Sequence, residues 1–144
     1  MDEKILLETC KKVIKAQIKT DLLLGKFDTT KAIGYSYHIC EFLSCLYSDF
    51  RVELEIWTEK TARSMYDKYI KTKHSKLDAY TIRSREAKEI ASAFIDKDIE
   101  LFGTLNDTAH YEFITCQYLD LLDKYWLRVS LNLFIQEKVK KVHH

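Results

Sequence analysis

Four cysteines, Cys10, Cys40, Cys45 and Cys116, and three internal histidines, His38, His74 and His110, are the side chains best equipped for metal or nucleophilic chemistry. A zinc site asks for ligands at converging spacings such as CxxC or HExxH, and none of these residues is so placed. A nucleophilic cysteine needs a cation or helix N-terminus beside it, whereas Cys40, Cys45 and Cys116 sit among Ile, Leu, Phe and Tyr. Core thiols in a reducing compartment, the cytoplasm, are expected, with no metal and no cofactor. His110, Glu112 and Asp107 can be drawn as an acid/base cluster, but helical positions 110 and 112 point about 200° apart. The polar first turn of a helix explains them better. Gly25, Gly34 and Gly103 are isolated, so no glycine-rich loop can cradle a phosphate. Nothing nominates a catalytic residue, and a binding protein is expected, not an enzyme.

The elements that carry these residues are helices. The chain has no proline and three glycines in 144 residues, which removes most helix-breaking and strand-turn punctuation. Apolar residues make up 47%, with nine Tyr, seven Phe and two Trp, enough for one self-sufficient core. The expected fold is all-α, a compact single-domain bundle of about 6–9 helices over residues 1–142 with a long C-terminal helix. His143 and His144 read as the remnant of an expression tag. A net charge of +1 provides no field to draw the protein onto nucleic acid. No secretory signal is visible, and no apolar run approaches the ~20 residues of a membrane span.

Leu6, Leu7, Cys10, Val13, Ile14 and Ile18 recur at three- and four-residue steps, with Lys11, Lys12, Lys15 and Lys19 opposite, and predict a first amphipathic helix closed by Gly25 and Phe27. Asp28, Thr29 and Thr30 can cap a second, carrying Ile33, Tyr37, Cys40, Phe42, Leu43 and Leu46. A third holds Leu54, Trp57, Ala62, Met65, Tyr66, Tyr69 and Ile70, then a polar loop runs from Lys71 to Lys76. Ile82, Ile90, Ala91 and Phe94 predict a fourth helix, and Ile99, Phe102 and Leu105 a short fifth before the loosened stretch 103–107. Asp107 or Thr108 can cap the next helix. From Ala109 to Lys141 no breaker occurs, and a continuous helix there would run roughly 50 Å, so it must kink or project. Between Tyr125 and Ile135 it is apolar on nearly every face, the pattern of a helix buried all round. Were Trp126 in such a core, Trp126→Ala would cost roughly 3–5 kcal/mol.

Two stretches resemble the helical domain of regulators of G-protein signalling. Ala62-Arg63-Ser64-Met65-Tyr66-Asp67-Lys68-Tyr69-Ile70, followed by a loop and Leu77-Asp78, is similar to that family's ARxIYxxFI helix and its following turn. Phe94, Phe102 and Phe113, then Tyr118-Leu119-Asp120-Leu121-Leu122, are similar in spacing to its C-terminal segment. The resemblance spans about residues 25 to 122 and implies a signalling partner such as a Gα subunit. The family's Gα-contacting positions fall on Tyr37, His38, Asp78, Asp107 (or Thr108) and Glu112. The family's Arg is replaced by an acid at Glu112, and its Glu-Asn pair by Tyr37-His38, so the resemblance implies a non-catalytic adaptor without GTPase-activating residues.

Two other classes fit the helical pattern. One resembles the non-haem, globin-like sensor domains of bacterial stress and sporulation regulators, which would hold a small apolar molecule such as a fatty acid. The other is a viral Bcl-2-like interaction protein, although neither Trp57 nor Trp126 is followed by the glycine of that family's Trp-Gly pair. Both readings point to the apolar surplus near the C-terminus. Tyr118, Leu122, Tyr125, Trp126, Val129, Leu133 and Phe134 are the candidate ligand surface, or a homodimer surface through the C-terminal helix.

Overall fold

The computed structural model describes residues 2–72, 74 and 76–142; His143 and His144 lie outside the described residues. The expected all-α class is observed. Six helices follow one another: α1 (Glu3–Leu23), α2 (Ile33–Phe42), α3 (Arg51–Lys71), α4 (Ala79–Phe102), α5 (Thr108–Leu119) and α6 (Tyr125–Val142). Among the described residues there is no strand, and no helix is long and apolar enough to cross a membrane.

Aspartates set three of the six starts. The carboxylates of Asp2, Asp78 and Asp107 accept from the backbone N–H groups of Lys4, Thr81 and His110 at the heads of α1, α4 and α5. Asp28 caps a short 3-10 turn at Thr29–Lys31, and α2 begins beyond it without a side-chain cap. Gly103 takes the left-handed conformation that ends α4 (φ +70). The short fifth helix expected around Ile99 and Phe102 does not exist as such. Both residues lie in the last turns of α4, and only Leu105 belongs to the loop.

The breaker-free segment after Thr108 does break near its middle. Asp120 adopts φ +56, and the Leu121 N–H donates to the Cys116 carbonyl at 2.8 Å, a helix-ending hydrogen bond that ordinarily recruits glycine. Aspartate tolerates this geometry better than most residues, and burial of Leu121 directly behind it favours the turn.

α1 runs through the middle of the bundle, with α4 along it and α2 and α3 on its other sides, whereas α6 packs against α4 and α5. One apolar core joins Val13, Ile14 and Ile18 of α1 to Ile39, Leu54, Phe94, Tyr111 and Leu131 on the other helices. The hydroxyls of Thr9, Thr20 and Thr58 donate to the carbonyls four residues back, whereas those of Ser48 and Thr115 are buried without a partner among the described residues. The Tyr111 hydroxyl donates to Asp98 at 2.6 Å. α4 thus holds α5 on one side and presents its first turn beside the start of α6.

Candidate functional site

α6 has two apolar faces and one set of neighbours. Leu127, Leu131 and Ile135 point inward and are buried. Trp126, Val129 and Leu133, three and four residues apart, share the opposite face, where Trp126 is 74% and Leu133 59% exposed. The helix expected to be buried all round is therefore buried on one side only, because α4 and α5 cover a single face.

The exposed face widens at its N-terminal end. Tyr125 is 67% exposed and meets Trp126 edge to face at 5.4 Å between ring centroids. Tyr80, in the first turn of α4, donates its hydroxyl to the Trp126 carbonyl at 3.3 Å. Between them lies an open groove of about 570 Å³ lined by Tyr80, Arg83, Leu121, Tyr125, Trp126 and Leu127. Leu122, in the preceding turn, is exposed as well.

Arg128 fixes this corner. Its Nε and Nη2 donate to Glu112 Oε2 at 3.0 and 2.8 Å, while Nη1 donates to the Leu122 carbonyl at 3.1 Å. One planar guanidinium ties α5, the turn and α6 together. Glu112 is thereby engaged inside the fold.

The remaining sequence candidates scatter. Tyr118 is a core residue and not part of the outer surface: its ring stacks on His38 at 4.2 Å, and its hydroxyl donates to Gln17 at 2.6 Å. Phe134 is half-buried, with the Lys88 ammonium 6.0 Å from its ring centre. Partial burial lowers the pKa of His38. Tyr37 is exposed beneath the Arg51 guanidinium, 5.6 Å away. Asp78 and Asp107 stand before and after α4, whose 24 residues span about 36 Å. The five positions named by resemblance thus form no single patch.

A second groove, of about 630 Å³ between α1 and α4, includes Lys12, Lys15, Lys19, Arg85 and Lys88. Lys12 lies 3.9 Å from Asp96, which Lys138 approaches at 3.1 Å, Lys19 lies 3.8 Å from Glu89, and Lys15 sits over Trp57. The groove's five cations face two carboxylates, Glu89 and Asp96.

Two buried features escape sequence reasoning. Glu86 on α4 is nearly sealed from solvent, 3.4 Å from Arg83. Cys10, Cys40 and Cys45 converge from α1, the last turn of α2 and the loop after it, with all three Sγ atoms within 4.8 Å of one another. Ser44, at φ +58, reverses the chain so that the Cys45 N–H donates to the Cys40 carbonyl at 2.8 Å. Contact with the Cys10 and Cys40 thiols, helped by Arg51, pulls the Cys45 thiol down, and the same contacts push Cys10 up. The five-residue step from Cys40 to Cys45 across a helix end was a visible signal for two of the three. No spacing joins either to Cys10. Cys116 is buried in α5, outside this cluster.

No family model, curated protein or solved structure matches this chain.

Proposed function

We propose that this chain is a non-catalytic signalling module that binds an amphipathic helix of a partner protein along the outer face of α6. The observation that carries this reading is the uncovered stripe of Trp126, Val129 and Leu133, widened by Tyr125 and Tyr80. Its spacing complements the apolar stripe of a second helix, and exposed Trp and Tyr are the residues on which binding energy concentrates. The flanking side chains Ser130, Asn132 and Gln136 carry no charge, and the Gln136 amide is already bonded to Asn132. The middle of the stripe is therefore uncharged, while the Glu137–Lys140 ion pair bounds it at one end and Arg83, Asp123 and Lys124 at the other. The scatter of Asp78 and Asp107, and the engagement of Glu112, favour docking at α6 over a grip by the five RGS-like positions.

A photo-crosslinking residue at position 126, with one at the isolated and fully exposed Tyr47 as control, tests the reading in cells. A discrete adduct at 126, absent at 47 and abolished by Leu133→Asp, is expected. Equal labelling at both positions overturns the proposal, and so does an adduct of two copies of this chain. A Gα subunit carrying GDP and aluminium fluoride is the first purified partner to titrate. Binding that Trp126→Asp abolishes identifies it, and failure with every Gα removes that partner.

The groove also favours a second reading, a small apolar ligand, because Tyr80, Leu121, Trp126 and Leu127 line it, with Arg83 and Lys124 at its edge, each already beside a carboxylate, Glu86 and Asp123. Native mass spectrometry with added palmitate checks it. A uniformly ligand-free spectrum overturns it.

A further inference from the structure

We infer that Cys10, Cys40 and Cys45 form a binding site for one Cu(I) ion, inside the bundle and separate from the α6 face. The cluster differs from ordinary core cysteine. Cys116 is a lone buried thiol, whereas the other three come from separate elements and end as one another's neighbours. A triangle of sulfurs at most 4.8 Å on each side has its centre no more than about 2.8 Å from every corner, and metal–thiolate bonds are near 2.3 Å. Side-chain adjustments of at most about half an ångström close that difference.

The donor set selects the ion. Three sulfurs with no oxygen or nitrogen exclude hard cations such as Mg²⁺ and Ca²⁺. Structural zinc takes four ligands, and among the described residues no imidazole, carboxylate or fourth thiol joins these three. Burial of all three thiols also leaves little room for a water to complete a tetrahedron. Cu(I) is soft and prefers sulfur, and it accepts two or three thiolates. Two thiolates around Cu(I) carry one net negative charge, and the Arg51 guanidinium, which also pairs with Glu55 at 3.0 Å, acts on both Cys40 and Cys45 to offset part of it. The ion would cross-link α1 to the end of α2, and binding only the folded chain would stabilise it by mass action.

The test uses the full chain, reduced and free of oxygen, offered Cu(I) from its bathocuproine complex. Transfer of one Cu(I) per chain is expected, with a thiolate-to-copper absorption band and a raised Tm. Cys116→Ser retains this behaviour. Cys45→Ser and Cys40→Ser lose affinity by more than about 100-fold, the most that loss of a merely supporting partner costs. Should a serine variant fail to fold, X-ray absorption on the wild-type copper complex decides. Two or three sulfur neighbours support the site, and nitrogen or oxygen neighbours overturn it. Refusal of copper by the wild type, preference for Zn²⁺ over Cu(I), or binding unchanged by both substitutions also overturns it.

Discussion

α1 and α6 are of similar length, 21 and 18 residues, and each carries ten apolar side chains, those of α6 including Tyr125, Trp126 and Phe134. Burial sets them apart. α1, striped with Lys11, Lys12, Lys15 and Lys19, buries nine residues because α2, α3 and α4 surround its apolar side, whereas α6 buries three. The contrast separates hydrophobicity from position. With the same number of apolar side chains, the helix with three neighbours becomes core, and the one at the edge keeps part of its apolar surface in solvent. Apolar surface beyond what neighbours can cover is the mark of an interaction site.

The sharpest way to break this contrast is to truncate equivalent side chains on each. Ile14→Ala in α1 and Leu131→Ala on the inner face of α6 should each cost roughly 2–5 kcal/mol in chemical denaturation, since both positions are fully enclosed. A loss under 1 kcal/mol at Leu131 would detach α6 from the core.

Next in size is Glu86, held against α1 by the fold. Burial pushes its carboxyl up to about 7, with Asp21 adding to the rise and Arg83 opposing it. The folded protein therefore binds more protons than the unfolded chain between the ordinary carboxylate range and about 7, and stability falls as pH rises through that window. Glu86→Gln should raise stability above about pH 7 by at most about 3 kcal/mol and have little effect near pH 4. Unfolding curves across that range check it. A loss at both pH values would show that the Arg83 contact outweighs the burial of charge.

Smaller still is Arg128→Ala, which frees the α5–α6 turn and leaves Glu112 without its partner. About 1 kcal/mol is expected, because a third of the Arg128 side chain faces water. Faster hydrogen exchange at residues 121–128 would accompany it. Trp126→Ala closes the series at under about 1 kcal/mol, since a solvent-facing indole has little packing to lose. A loss of 3 kcal/mol or more there would return Trp126 to a core and remove the basis for a docking face.

Much of the fold was legible locally. The lysine stripe and three- and four-residue apolar steps of α1, and the aspartate cap at 107, act within a turn or two of chain; the cap at Asp78 acts as locally but was not singled out. The break at Asp120 was less legible, because the cue was an aspartate doing a glycine's work with a buried leucine behind it. Within the site, Trp126 and Leu133 were named from their surplus apolarity, but Tyr118 was grouped with them although its ring belongs to the core.

The sequence by itself determined that the chain is helical, where α5 starts, and that its C-terminal segment holds more apolar surface than one face can bury. Local hydrogen bonds, capping and periodicity act over a few residues and are written in residue order. Only the tertiary structure decided which face of α6 is covered, that Glu112 is taken by Arg128, and that Cys10 meets Cys40 and Cys45. Those outcomes depend on which helices become neighbours, a property of the whole packed core that no short window of sequence contains.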